Sequence, residues 1–234
     1  MNQFKIKINE SSLIIDFYKS EKETKKIAIL LPGLPYKPQK YDLVDQLNDI
    51  GFDVAFLHYP GTHGSGGEFL LHKPQEYINV LINKIQKEGL NNIKYDGISI
   101  IGTSFGGAIS ITIDDNDIIK KVIALSPVIS YKKVPTINTL AEYLTSNFYN
   151  EYNFSPERFN DLTNDQITSP INQYKLDPNK VLLIGGQKDE EIDINDIKSF
   201  SEQNNIKHLG FNTGHITFSR ISYDILEAIK DFLK

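Results

Sequence analysis

The pentapeptide Gly102-Thr103-Ser104-Phe105-Gly106 sets a hydroxyl between two glycines where the apolar run "GISIIGTS" (97–104) gives way to the helix-period segment "GGAISITI" (106–113). A serine on such a strand-to-helix turn is a candidate nucleophile. The glycines have a physical reason: side chains two residues either side of the serine would collide with the turn and with the neighbouring strand. A Gly-x-Ser-x-Gly match arises by chance in roughly one chain in ten of this length, so the setting counts for more than the pattern. The helix behind the serine adds the positive end of its dipole, and the amide of Phe105 faces the position where an oxyanion would form.

A serine hydroxyl attacks only when a base takes its proton, which requires a histidine and a group to orient it. Five histidines are available. His215, in "NTGHITF", follows the last expected strand and precedes the C-terminal helix, on the strand-end edge where Ser104 should lie. His58 and His208 fall inside expected strands and read as structural. His63 and His72 lie in a loop region upstream of the serine, with His63 the nearer candidate for a pocket rim. For the orienting acid, Asp189 follows the apolar run 180–186 by three residues; Glu190, Glu191 and Asp193 are its rivals. The second oxyanion donor is expected from "LLPGLPY" (30–36). Pro32 and Pro35 lack an N–H, leaving Gly33 and Leu34, and the residue after the glycine, Leu34, is preferred.

Positioning these groups is the work of an alternating chain. "FKIKI" (4–8) and "LIIDFY" (13–18), separated by Asn-Glu-Ser-Ser, predict an antiparallel hairpin. Continuous apolar runs follow at 26–33, 52–61, 97–104, 121–128 and 180–186, with a weaker one at 206–212, as expected of parallel strands buried on both faces. Helix-period segments lie between or after them at 41–51, 74–89, 106–113, 194–203 and 222–234. The alternation implies a single α/β domain over residues 1–234, a mostly parallel sheet with helices on both faces. Between Pro127 and Asn179 the rhythm breaks, and a connection this long should carry structure of its own. Residues 128–179 are the expected lid. Its middle, 140–159, combines a helix with Phe148, Tyr149, Tyr152, Phe154 and Phe159, aromatics whose spacing favours packing on the main domain over lining a pocket.

The composition narrows the chemistry. With 40% hydrophobic and 24% charged residues, a formal charge of −5 and no basic arm, nothing invites nucleic acid. The charge run "KSEKETKK" (19–26) mixes both signs and reads as a solvated turn. The absence of cysteine excludes a disulfide framework, a thiol nucleophile and any thiolate zinc site. "PGTHGSGG" (60–67) lacks the spacing and the terminal Lys-Ser/Thr of a phosphate-binding loop, and no His-Glu-x-x-His stretch is present, so no cofactor or metal is implied. Neither the start, "MNQFKIKINE", nor any later run has the apolar length of a signal peptide or membrane span, and a cytoplasmic location is expected.

Over nearly its whole length the chain resembles the α/β-hydrolases. That resemblance implies an α/β-hydrolase fold and maps the family's order of nucleophile, acid and histidine onto Ser104, Asp189 and His215. Within the family, "HYPGTHGSGGEF" (58–69) is similar to a Gly-rich loop of serine aminopeptidase-like and acylaminoacyl-peptidase-like members and of small carboxylesterases. The chain departs from those relatives at Pro60-Gly61, where Arg-Gly is usual, and at Pro32-Gly33, where His-Gly is frequent. The expected activity is that of a serine hydrolase, first a small carboxylesterase acting through an acyl-enzyme on a small-molecule or short-peptide acyl substrate. A peptidase or thioesterase on the same triad, and a non-catalytic ligand-binding protein of the same fold, are the competing readings; oligomeric state is left open.

Overall fold

The computed structural model describes residues 2–8, 10–148 and 150–234. The strictly alternating N-terminus forms β1 (Asn2–Ile8), paired antiparallel with β2 (Ser11–Tyr18), Ile6 opposite Leu13; Asn9, in the expected turn, lies outside the described residues. The chain continues through β3 (Lys26–Leu31), α1 (Asp42–Asp49), β4 (Asp53–His58), α2 (Pro74–Glu88), β5 (Gly97–Thr103), α3 (Phe105–Ser110) and β6 (Ile119–Leu125). A long segment then carries α4 (Ile137–Asn147), α5 (Arg158–Thr163) and α6 (Pro170–Gln173). It is followed by β7 (Val181–Gly186), α7 (Ile194–Gln203), β8 (Lys207–Phe211) and α8 (Tyr223–Leu233).

The eight strands form one sheet in the order β1-β2-β4-β3-β5-β6-β7-β8. β2 runs antiparallel to β4, and every later pairing is parallel. β5 and β7 are buried along their full length, as continuous apolar runs require. After β3 the chain steps to one side to make β4 and then returns across β3 to make β5. The strand order therefore reverses at β3, and the crevice that opens at such a reversal lies between the loops that leave β3 and β5.

Two of the boundaries that differ from the sequence reading have a local physical reason. The helix after the serine stops at Ser110 instead of 113, because Thr112 Oγ1 turns back to donate to the carbonyls of Ala108 and Ile109, 3.1 Å away, in competition with helical continuation. The strand expected over 121–128 ends at Leu125: Ser126 swings to φ 41° while its amide still reaches the Ile184 carbonyl at 2.7 Å, and Pro127 has no amide to continue the ladder.

Candidate active site

Three loops meet at the C-terminal ends of the parallel strands. The first leaves β5 at Ser104, which has φ 53° and ψ −115°, a conformation costing a non-glycine residue about 1–3 kcal/mol. Neighbours hold it there: the Ser104 amide donates to Leu125 O at 2.9 Å, and the Ser104 carbonyl accepts from Ala108 at 3.0 Å and Val128 at 3.3 Å. The two flanking glycines are as crowded as the sequence implies. A Cβ on Gly102 would lie 2.1 Å from Gly106 O, and one on Gly106 would lie 2.1 Å from Leu31 O and 2.5 Å from Pro32 O. Phe105 opens α3, so its amide has no partner within the helix.

The second loop, after β3, runs alongside the serine: a Cβ on Gly33 would come within 3.0 Å of Ser104 Cβ. Tyr59 ties this loop down by donating its hydroxyl to Pro32 O at 2.8 Å, and Tyr152 by accepting the Tyr36 amide at 3.2 Å.

The third region joins the loops after β7 and β8. His215 Nδ1 lies 2.9 Å from Asp189 Oδ2, with Asp189 almost wholly buried and His215 about one-fifth exposed. Asp189 Oδ1 accepts the amides of Glu191 and Ile192, both at 3.0 Å. Burial pushes the Asp189 carboxyl up, but the His215 hydrogen bond, the Ile192 amide, the His215 charge and the Ser126 hydroxyl outweigh it and hold the group below its ordinary value.

The rivals of Asp189 are otherwise engaged. Asp193 caps α7 through the Asn195 amide, Glu191 accepts from Thr136 Oγ1 at 2.7 Å, and Glu190 is exposed.

Ser104, Phe105, Leu34 and His215 all line one cavity of about 370 Å³. Its far wall comes from α4, through Ile137, Leu140 and Tyr143, which the sequence did not single out. Of the five aromatics named from the sequence, Phe148, Tyr152 and Phe159 are buried and Phe154 packs against the core, while Tyr149 lies outside the described residues. Phe159 packs on Phe69 and Tyr152 on His63 in the main domain, whereas Phe148 packs on Tyr143 and Tyr152, and Phe154 on Phe159, within the segment itself. His63 does not line the cavity; its ring packs on Tyr36 at 4.3 Å, with Nδ1 3.1 Å from Glu151. Ser126 is the residue the sequence did not flag: its hydroxyl accepts the Ile216 amide at 3.2 Å, anchoring the His215 loop to the end of β6. Its only sequence signal is its place, a hydroxyl directly after an apolar strand.

The Gly-rich loop 60–67 serves as a clasp. Gly61 O accepts the Asn153 amide at 2.7 Å, Asn153 O accepts Phe69 N at 2.7 Å, and Thr62 bridges Tyr152, which fastens the segment after α4 to the sheet. At φ 71°, a Cβ on Gly61 would stand 2.2 Å from Phe69 N.

With this geometry in view, the sequence model of the family described as serine aminopeptidase, S33, matches residues 22–181, more than half of the chain. The chain belongs to that family. The S33 match spans Ser104 and the Gly-rich loop and ends before Asp189 and His215. Solved structures give this S33 chain an α/β-hydrolase fold. An esterase of Pyrococcus furiosus superposes with a TM-score of 0.74 at 17% identity, over 99% of this chain and 90% of that one. Est1E from Butyrivibrio proteoclasticus, solved with ferulic acid bound, gives 0.71 at 18% identity, over 98% and 97%. An α/β serine hydrolase of Xanthomonas campestris described as lacking a lid gives 0.67 at 14% identity, over 99% and 93%. No curated protein matches the sequence.

Proposed function

We propose that this protein is a small carboxylesterase in which Ser104 is the nucleophile, His215 the general base and acid, and Asp189 the residue that orients and stabilises the imidazolium. The observation that carries the reading is His215, bonded through Nδ1 to a buried carboxylate and lining the same cavity as Ser104. Ser104 Oγ makes no hydrogen bond to His215 in the structure; contacts of this kind commonly tighten once substrate is bound.

In the forward step His215 Nε2 takes the proton from Ser104 Oγ as the oxygen adds to the ester carbonyl. The amides of Leu34 and Phe105 receive the developing oxyanion. His215 then returns the proton to the leaving alcohol as the C–O bond breaks, giving an acyl-Ser104. Water, deprotonated by the same imidazole, releases the acid. In this reading residues 1–234 are one domain, 128–179 is its lid, and α4 closes the cavity over the acyl group.

The family description favours one second reading, an aminopeptidase. The substrate's α-ammonium would be received by Glu191, the one acidic residue among the described residues that line the cavity. Comparing 4-nitrophenyl esters with aminoacyl 4-nitroanilides separates the two.

Intact mass after a fluorophosphonate probe tests the nucleophile without knowledge of the substrate. One adduct on wild type and none on Ser104→Ala is expected. A folded wild type that takes no adduct, or an adduct that survives in Ser104→Ala, would overturn the assignment.

A further inference from the structure

Ser104 and His215 stand on a boundary between two clefts of opposite character. The cavity under α4 is walled mainly by apolar side chains, among them Val128, Val134, Ile137 and Leu140, with Glu191 also in its lining and no lysine or arginine among the described residues that line it. A second cleft of about 450 Å³ shares Leu34, Pro35, Ser104 and His215 with it and opens on the other side, along the loops after β3 and β8. Its lining includes Lys37 and Arg220 with Gln39, Thr217 and Ser219, and no acidic side chain among the described residues. The two loops that carry the cations face each other closely enough for Gln39 Nε2 to reach Ser219 Oγ at 3.5 Å.

What distinguishes these two residues is their place, in a cleft beside Ser104 whose described lining holds no carboxylate. The chain has a formal charge of −5, and nine of its 25 lysines and arginines form ion pairs among the described residues. Lys40 contacts Asp45, and Arg158, the other of the chain's two arginines, binds Glu68 at 3.2 Å. Lys37 and Arg220 are exposed and form no ion pair among the described residues. Two unpaired cations in a concave groove with no opposing carboxylate make a locally positive field beside the reacting serine, and a guanidinium presents a planar fork suited to a carboxylate.

We infer that this cleft is a subsite for an anionic group, so that the substrate is an ester with an apolar arm under α4 and a second arm ending in a carboxylate-like anion between Lys37 and Arg220. The inference rests on the serine-esterase reading above. It names the substrate class which that reading leaves open: an amphiphilic ester anion, with the scissile bond at the division between its apolar and charged parts.

Two matched pairs of esters test it and tell which side of the bond carries the charge. The butanoate ester of 4-hydroxybenzoate against that of methyl 4-hydroxybenzoate places the anion on the leaving group. The mono-4-nitrophenyl ester of glutaric acid against 4-nitrophenyl pentanoate places it on the acyl group. The readout is the ratio of kcat/KM for the anionic over the neutral ester, compared between wild type and the double variant Lys37→Gln/Arg220→Gln, so that intrinsic ester reactivity cancels. Single exposed ion pairs are worth a few-fold, and an Arg fork somewhat more, so the ratio should fall about tenfold in the double variant for one of the two pairs. Raising the salt to about 0.5 M should reproduce most of that fall in wild type, because the cations are exposed to screening. Ratios that are the same in wild type and double variant for both pairs overturn the subsite, whether or not both rates drop together. Failure of the underlying reading looks different: neither ester is turned over and the fluorophosphonate leaves wild type unlabelled.

Discussion

Replacing Asp189 by Asn should disable the proposed base while leaving the fold intact, and the hydrogen bonds around the carboxylate give the size of the effect. Oδ1 accepts two backbone amides, from Glu191 and Ile192, each at 3.0 Å, while Oδ2 faces His215 Nδ1 at 2.9 Å. In the amide the carbonyl oxygen keeps the Oδ1 position, since the reverse orientation would aim an NH2 group at two N–H donors. The NH2 then donates to His215 Nδ1, which moves the ring proton to Nε2, where it blocks acceptance of the Ser104 proton. Restoring the working tautomer requires the reversed amide and two unpaired amides at about 1–3 kcal/mol each, which alone lowers the competent fraction by about 30-fold to about 2 × 10⁴-fold. Loss of the charge-assisted bond to the imidazolium adds roughly another factor of ten in the transition state. A fall in kcat of about 300-fold or more is therefore expected, a range that includes the roughly 10⁴-fold effect of the analogous change in other serine hydrolases. The assay is steady-state hydrolysis of 4-nitrophenyl butyrate at neutral pH, with thermal unfolding as the check on folding. Asp193→Asn is the control, because Asp193 caps α7 and touches no part of the His215 pair. A folded Asp189→Asn enzyme within tenfold of wild type, or an equal loss in Asp193→Asn, would refute the assigned roles.

Two further expectations concern the support of the site. Burial, with a smaller contribution from the nearby His58, brings His63 down from 6.5 to about 4, although the Tyr36 carbonyl pulls the other way. The unfolded chain thus binds a proton that the native state refuses. Stability contributed by neutral His63 is present above the unfolded value and is lost as pH falls through it, by about 2 kcal/mol between about pH 7.5 and about pH 5. Urea unfolding at the two pH values should show that slope in wild type and a shallower one in His63→Gln; equal slopes would contradict it. Gly106→Ala would put a methyl group 2.1 Å from Leu31 O and 2.5 Å from Pro32 O, against backbone that cannot yield without moving the loop beside Ser104. A destabilisation of about 3 kcal/mol or more and loss of fluorophosphonate labelling should follow, and a variant that labels at the wild-type rate would show that the loop has room.

Strand identities were legible because parallel strands buried on both faces must read as unbroken apolar runs, and β3, β5 and β7 do. Ser104 was legible because its turn tolerates only glycine two residues either side, so the geometry is written in residue types. The walls of the cavity were not. Ile137, Leu140 and Tyr143 lie at ordinary helix-period spacing, and the sequence does not say which face of α4 looks towards Ser104. The tie that fastens the segment after α4 is long-range, through Gly61, Thr62, Tyr152 and Asn153, and apart from Gly61, which has no room for a Cβ, its backbone hydrogen bonds leave little mark on residue types. Of the aromatics nearby, Tyr152 is consumed in that tie and Phe159 packs beside it on Phe69, while Phe148 and Phe154 pack within the segment.

A second Asp–His pair in the same chain shows what separates a catalytic candidate from a structural contact. His58 Nε2 lies 2.9 Å from Asp16 Oδ2, the same separation as in the His215–Asp189 pair. As with Asp189, burial pushes the Asp16 carboxyl up and hydrogen bonds, here from His58 and Gln3, bring it below its ordinary value. The difference lies in what the other imidazole nitrogen meets. His58 Nδ1 is enclosed beside the Tyr36 hydroxyl at 3.4 Å, its side chain about 2% exposed, and the pair links β2 to β4 in the antiparallel part of the sheet. His215 stands beyond a strand end, one-fifth exposed, on the boundary of two clefts that both reach Ser104. A buried carboxylate can orient either ring, but only the second has an unoccupied side from which a proton can come and go. Sequence position already carried this distinction, because a histidine inside a buried strand is surrounded on all sides, whereas one in a loop after a parallel strand opens onto the edge where the sheet gathers its ligands.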